Sequence, residues 1–126
     1  MAWTEVITLL ALFEYLVFAM LVGKARGQYG VKAPAVTGHE MFERAYRVQM
    51  NTLELLVIFL PALWLASQHF SSTWTAPLGG LFLVGRIVYA RAYVSDPAKR
   101  SAGFGLSILP TLVLLVMGFM GALKLV

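Results

Sequence analysis

The sequence predicts an all-α integral membrane protein whose single domain, residues 1–126, is a bundle of four transmembrane helices. Of the 126 residues, 60% are hydrophobic and only 13% are charged, which is about half the charged share of an average soluble domain. Four stretches approach the roughly 20 apolar residues that a helix needs to cross a bilayer. Their approximate bounds are 3–25, 39–70, 76–95 and 102–125. The length leaves room for one domain only.

The first stretch carries an acid at its middle, Glu14, and has no basic segment before it. These features argue against a cleavable signal peptide. Glu14 is either a proton-coupling acid or the partner of an arginine on a neighbouring helix. The residue types do not separate the two roles.

The next two helices carry start signals. Thr37, with Glu40 three residues later, has the spacing of a capping box ahead of helix two. A helix from there to about Phe70 spans about 45 Å, so its first turns must project from the bilayer. Thr75, ahead of Pro77, is the expected cap of helix three. In helix four, the glycines are expected to allow close helix packing.

Basic residues predict the orientation of the bundle. Nine of the ten lie near the first and third connections, and only Lys124 lies near the other face. The positive-inside rule therefore puts those connections in the cytoplasm and both termini outside. Since the orientation of the bundle in the membrane already explains the excess of basic residues, nucleic-acid binding is not expected.

Two polar stripes lie at the cytoplasmic end. On helix two, Arg47, Asn51 and Glu54 follow at i, i+4 and i+7, so they share one face, which Arg44 is expected to extend. Helix three has a second stripe, formed by Arg86, Tyr89 and Tyr93 at i, i+3 and i+7. Arg100 follows this stripe in the next connection. Arginines suit carboxylates and a glutamate suits an ammonium group. The stripes indicate a polar pocket for a zwitterionic or anionic ligand.

The alternative is structural. Arg47 and Glu54 would then form a buried ion pair that sets helix packing, and the tyrosines would belong to an interfacial aromatic belt. A metal site is not expected, because the chain has no cysteine, and its two histidines, His39 and His69, are predicted on opposite sides of the membrane.

The stretch FERAYRVQMNTLE (42–54), followed by LPALWLA, RIVYARAY and Arg100, resembles the MAPEG family, the membrane-associated proteins in eicosanoid and glutathione metabolism. The likeness runs from about Lys24 to Arg100, and the short loops are similar to those of small bacterial members. It implies a homotrimer in the bacterial inner membrane that binds glutathione between subunits near their cytoplasmic ends.

The resemblance also implies residue roles. It assigns glutathione contacts to residues on the first three helices: Arg26, Arg47, Asn51, Glu54, Arg86, Tyr89 and Tyr93. It assigns stabilisation of the glutathione thiolate to Arg100, and Tyr93 is a possible donor to the sulfur. The implied activity is a glutathione transferase or peroxidase that acts on lipophilic electrophiles or lipid hydroperoxides in the membrane.

Two alternatives stay open. A small four-helix multidrug transporter would use the acid in helix one, although four arginines near the membrane are hard to accommodate in a cation path. A non-catalytic membrane protein that binds glutathione would keep the pocket without the turnover.

Overall fold

Four long antiparallel helices follow one another along the chain in a computed structural model that describes residues 2–126. They are α1 (Ala2–Tyr29), α2 (Glu40–Ser67), α3 (Ser72–Ser95) and α4 (Ser101–Ala122), and a single 3-10 turn, Pro97–Lys99, joins the last two. The all-α class is confirmed. Met1, the first residue of the predicted domain, lies outside the described part.

Three segments are apolar and long enough to cross a membrane. They are Trp3–Tyr29, Glu40–Ser67 and Pro97–Ala122, with mean hydropathies of 2.3, 1.6 and 2.1. The fourth predicted span, α3, has 24 residues but carries Arg86 and Arg91, which lower its hydropathy. Large apolar side chains cover the outside of the bundle; on α1 these include Leu9, Phe13, Leu16 and Met20. A surface of this kind is stable against acyl chains and marks an integral membrane protein.

The start of α2 differs from the predicted capping box. The N-cap residue is His39, whose Nδ1 accepts a hydrogen bond from the Met41 amide at 3.1 Å. The amide of Gly38 donates to the Glu43 carboxylate at 3.1 Å. Gly38 has a φ of 144°, which only glycine adopts readily. The helix therefore begins too late for Thr37 to cap it, and that prediction is wrong.

The predicted cap of α3 is also wrong. The helix begins at Ser72 after Ser71, so Thr75 and Pro77 lie inside it. The Thr75 hydroxyl donates to the Ser71 carbonyl at 3.5 Å instead of capping a helix end. The connection between α2 and α3 is short, because α2 ends at Ser67 and α3 already begins at Ser72.

The helices pack in a closed arrangement in which α1 touches α2 and α3, while α4 touches α3 and α2. The core contains the stacked rings of Phe59 and Phe82, with centroids 3.8 Å apart, and Leu63 and Leu114 are fully buried beside them. At the end formed by the chain's N-terminus, Trp64 donates to the Thr8 hydroxyl at 2.8 Å. The other end carries the loop 30–39 and the turn before α4, and we call it the loop end.

Glycines allow α3 and α4 to approach closely. A Cβ on Gly85 would lie 2.8 Å from the backbone of Leu106 and Ser107, and one on Gly103 would collide with the backbone of Tyr89. Gly105 has open space around it. Of the four α4 glycines predicted to allow packing, the close approach holds for Gly103 and for Gly121, where a Cβ would collide with the His69 side chain. A Cβ on Gly118 would make only ordinary contact with Leu65, and Gly105 does not fit the prediction.

A buried guanidinium links three helices. Arg86 is 0% exposed. Its Nε donates to the Ser107 hydroxyl at 2.9 Å, and its Nη1 donates to Asn51 Oδ1 at 2.7 Å and to the Thr52 hydroxyl at 3.1 Å. These bonds run from α3 to both α4 and α2, so they set the positions of the three helices relative to one another.

The fourth helix brings an acid near this group. Glu14 of α1 lies close enough to Arg86 for an electrostatic interaction, but within residues 2–126 the two side chains form no salt bridge. Glu14 Oε1 and Arg86 Nη2 are buried side-chain atoms that make no hydrogen bond in this part of the chain. The role of Glu14 therefore stays a prediction.

We expect Gly103→Ala to lower the stability of the bundle by about 2 kcal/mol or more, because the new methyl group would meet backbone that cannot move aside. The matched variant Gly105→Ala should be neutral or slightly stabilising, since alanine favours a helix over glycine by up to about 1 kcal/mol. Thermal unfolding in detergent measures both. Equal stability of the two variants would contradict the close approach of α3 and α4.

We also expect Ser107→Ala to destabilise the protein by about 1–3 kcal/mol, because it leaves the buried Nε of Arg86 without its acceptor. Ser95→Ala is the control, since that exposed hydroxyl donates only to the Ala92 carbonyl and its loss should cost far less. Denaturant unfolding in detergent compares them. A Ser107→Ala protein as stable as the Ser95→Ala protein would show that the buried contacts of Arg86 contribute little.

Candidate functional site

An open cavity of about 650 Å³ lies at the loop end, between α2, α3 and the start of α4. Its lining is mostly polar or aromatic and consists of Arg47, Asn51, Tyr89, Tyr93, Arg100, Ser101 and Phe104. Five of the eight predicted site residues are therefore in one place: the two stripes on α2 and α3 face each other, and Arg100 closes the third side.

Aromatic rings form one wall of the cavity. Tyr89 and Tyr93 stack with their centroids 5.5 Å apart, and Phe104 of α4 lies 6.5 Å from Tyr89 in a tilted arrangement. Tyr89 is 3% exposed, so it is held firmly, whereas Tyr93 is half-buried. The wall offers flat apolar surface together with phenolic hydroxyl groups.

Two arginines give the cavity a positive charge. Arg47 forms an ion pair with Glu54 at 3.0 Å. The Nη1 atom of Arg100 donates to the Pro97 carbonyl at 2.9 Å, which holds this side chain beside the first turn of α4. The free amides of that turn add partial positive charge. The combination favours an anionic group in the cavity.

The pair of Arg47 and Glu54 is not the buried ion pair of the structural alternative. The two side chains are 45% and 56% exposed, so each remains accessible to a ligand. Glu54 does not line the cavity, but it is paired with Arg47, which does. A ligand with both an anionic and a cationic group can therefore meet both charges.

Arg86 is placed differently from the prediction. It does not line the cavity but lies beneath it, with its guanidinium carbon 4.5 Å from the centre of the Tyr89 ring. Because it donates to Asn51 Oδ1, the amide NH₂ of Asn51 is left to donate into the cavity. Arg86 thus positions two lining residues, and its predicted contact with the ligand stays a prediction.

Arg26 and Arg44 also lie outside this cavity. Arg26 donates to the carbonyls of Ala35, at 2.7 Å, and Val31, and it stacks on Phe42 at 4.8 Å. It therefore holds the loop after α1. Arg44 donates to the carbonyls at the end of α3 and pairs with Glu40. The expectation that Arg44 extends the face of Arg47 is wrong, because its side chain passes to the other side of α3.

Four contributing residues were not predicted as site residues. Thr52 and Ser107 are buried acceptors for Arg86, and Ser101 and Phe104 line the cavity. A signal was present for Ser107: it stands four residues after Gly103 and four before Thr111 in an otherwise apolar helix. Small and polar residues at that spacing mark a helix face that packs closely or bonds across an interface.

Within residues 2–126, no cluster of three or more His, Asp or Glu side chains is positioned to hold a metal ion. What the site offers is fixed cations, an amide donor and hydroxyl groups around a space open on one side. Such a site can bind and polarise an anion, and a thiol nucleophile would have to come with the ligand, since the chain has no cysteine.

Comparison with known proteins identifies relatives of similar length. The model of the MAPEG family matches residues 4–120. An uncharacterized protein of Synechocystis is 49% identical over 90% of this chain and 83% of its own length. Human microsomal glutathione S-transferase 2 is 37% identical over 91% of this chain and 78% of its own length. Leukotriene C4 synthase of Cavia porcellus is 32% identical over 93% of this chain and 78% of its own length.

The family match covers nearly all of the four helices and every residue that lines the cavity. These matches favour a glutathione-utilising membrane protein and count against the transporter alternative. The chain therefore belongs to the MAPEG family.

Proposed function

We propose that this protein is a membrane-bound glutathione transferase that activates the glutathione thiolate for attack on lipophilic electrophiles or for reduction of lipid hydroperoxides. The observation that carries the proposal is the meeting of Arg47, Asn51 and Arg100 with two tyrosines in one open cavity. The relatives named as glutathione transferase and leukotriene C4 synthase support the same class of chemistry.

Glutathione has the groups that these side chains recognise. The peptide carries two carboxylates, one amine and one thiol. Arg47 suits a carboxylate through its planar fork of donors, and Glu54 beside it suits the ammonium group. The free NH₂ of Asn51 donates to a peptide or carboxylate oxygen. These residues would hold the peptide so that its sulfur lies toward Arg100.

Arg100 would activate the sulfur. A free thiol has a pKa of about 8.5, so it is mostly protonated at neutral pH, whereas the reactive form is the thiolate. A close cation lowers such a pKa by about one to three units. The Arg100 guanidinium is tied to the Pro97 carbonyl through Nη1, which leaves its other donors for the sulfur. Tyr93 is the second donor in this proposal.

The reaction balances without a further cofactor. The thiol proton passes to solvent, and the thiolate attacks an electrophilic carbon to form a C–S bond while the leaving group departs with its electron pair. With a hydroperoxide, the thiolate attacks the outer oxygen, the O–O bond breaks, and the alkoxide that leaves takes a proton from solvent to become the alcohol. The sulfenic acid of glutathione formed in this step then condenses with a second glutathione to give glutathione disulfide and water. The exposed Phe104 at the cavity edge suits a substrate that enters from the bilayer.

The assembly and location that the family resemblance implies complete the proposal. We propose a homotrimer in a bacterial inner membrane with the cavity toward the cytoplasm, in line with the basic residues at the loop end. Arg26 would then act on the cavity of an adjacent subunit. Its position away from its own cavity supports that arrangement.

We expect Arg100→Ala to keep glutathione binding within a few-fold but to lose at least about tenfold in turnover near neutral pH, since at a pH below the pKa of the thiol each pKa unit changes the thiolate fraction about tenfold. Turnover is measured with a generic aromatic electrophile in detergent. Thiolate formation is measured by its ultraviolet absorbance, and binding by calorimetry. Lys99→Ala, an adjacent exposed cation outside the cavity, is the matched control.

Equal loss of binding and turnover in Arg100→Ala, or no loss of either, would overturn the role of this arginine. An unmodified protein that binds glutathione and forms thiolate without conjugating any electrophile would be the non-catalytic alternative. A protein that binds no glutathione would overturn both functions.

A further inference from the structure

A second and larger space lies between α1, α2 and α3 and shares no lining residue with the first cavity. Its volume is about 870 Å³, within the range of about 300–1,000 Å³ that is typical of ligand pockets. We call it the α1–α3 groove. Most of its walls are apolar, and they include Phe18, Leu21, Ala25, Met41, Val48, Ile87, Ala90 and Val94.

The groove runs along the half of the bundle next to the loop end. On α1 its lining extends from Phe18 to Tyr29, a length of about 16 Å at the rise of an α-helix. Its inner part is closed by buried side chains, since Phe18 is 8% exposed and Val48 is 3% exposed. The groove therefore begins at membrane depth and ends where the chain meets the aqueous interface.

The interfacial part of the groove is basic. It is lined by Lys24, Arg44 and Arg91. Arg44 is neutralised by Glu40 and occupied by carbonyls of α3. Lys24 and Arg91 are exposed, and neither makes a salt bridge within the described part of the chain. Two cations without an acidic partner thus stand over an apolar channel.

We propose that the α1–α3 groove binds an anionic phospholipid of the surrounding bilayer, with one acyl chain along the apolar walls and the phosphate against Lys24 and Arg91. Basic pockets between transmembrane helices on the cytoplasmic side have this affinity in general. A zwitterionic lipid carries an ammonium group that cancels its phosphate, so it matches two unpaired cations less well.

A second copy of this chain is a poorer match. Its acids at the loop end are Glu40, Glu43, Glu54 and Asp96, and each already accepts a hydrogen bond within its own chain. Each of these carboxylates therefore offers Lys24 or Arg91 only its remaining acceptor sites and a charge that is already partly satisfied. The bilayer supplies a phosphate with an attached apolar chain, which matches both the cations and the apolar walls.

The test is native mass spectrometry of the purified protein in detergent, titrated with phosphatidylglycerol or with phosphatidylcholine of the same acyl chains. The unmodified protein should retain phosphatidylglycerol preferentially. The double variant Lys24→Gln, Arg91→Gln should bind it about 30-fold more weakly, because each basic residue near a membrane surface contributes about 1 kcal/mol, or about fivefold. Phosphatidylcholine binding should change little.

The matched control is Lys32→Gln, Lys99→Gln, which removes the same charge from exposed positions outside the groove. It should keep the preference for phosphatidylglycerol. An equal loss in both double variants would show a diffuse charge effect and overturn the proposal. Undiminished binding in the Lys24→Gln, Arg91→Gln protein would also overturn it.

A cysteine placed in the groove tests the competing occupant. The chain has no cysteine, so Leu21→Cys introduces a single thiol at a groove-lining position. A lipid-filled groove predicts no disulfide between subunits under mild oxidation. Efficient crosslinking of subunits through this thiol would show that a second copy covers the groove and would overturn the lipid site.

This inference does not depend on the proposed enzyme activity, because lipid binding is measured without glutathione. The Arg100→Ala protein should retain the phosphatidylglycerol preference in full. A protein inert toward every electrophile would leave the lipid result intact, and failure of the lipid test would leave the transferase proposal intact.

Discussion

The buried guanidinium of Arg86 is the interaction on which the bundle and its cavity depend. A charge at this depth costs several kcal/mol unless it is bonded and paired. Here two helices supply three acceptors, and Glu14 of α1 lies near enough to interact with the guanidinium electrostatically. Because Asn51 and Tyr89 both touch this guanidinium, the arrangement that satisfies the buried charge also orients two walls of the cavity.

Helix α3 separates two different environments at the loop end. One side presents Tyr89 and Tyr93 to the polar cavity, and the other presents Ile87 and Arg91 to the apolar groove. The close contact of α3 with α4 at Gly103 keeps the helix from rotating between the two. In the two proposals, a bound peptide and a bound lipid would therefore contact opposite faces of the same helix, α3.

Helical spacing accounts for the part of the site that could be predicted. Residues at i, i+4 and i+7 share a face whatever surrounds the helix, so Arg47 and Asn51 were expected together, as were Tyr89 and Tyr93. Spacing does not say which neighbour covers a face. That is why Arg86, expected to line the pocket, is covered by Ser107 and Thr52, and why Arg44 bonds to the end of α3.

The composition and the positions of apolar and charged residues along the chain were sufficient to predict the all-α membrane class, the number of helices and the end of the bundle that carries charge. These features are local, because they depend only on the length of each apolar stretch and on the helical period. The depth of Arg86, the exposure of the Arg47–Glu54 pair and the existence of two separate cavities depend on how closely α3 meets α4. That distance is set by contacts between residues that are separated in sequence, such as Gly103 with Tyr89, 14 positions apart, and Ser107 with Gly85, 22 positions apart. No local pattern encodes contacts of that kind, so they emerge only when the helices pack.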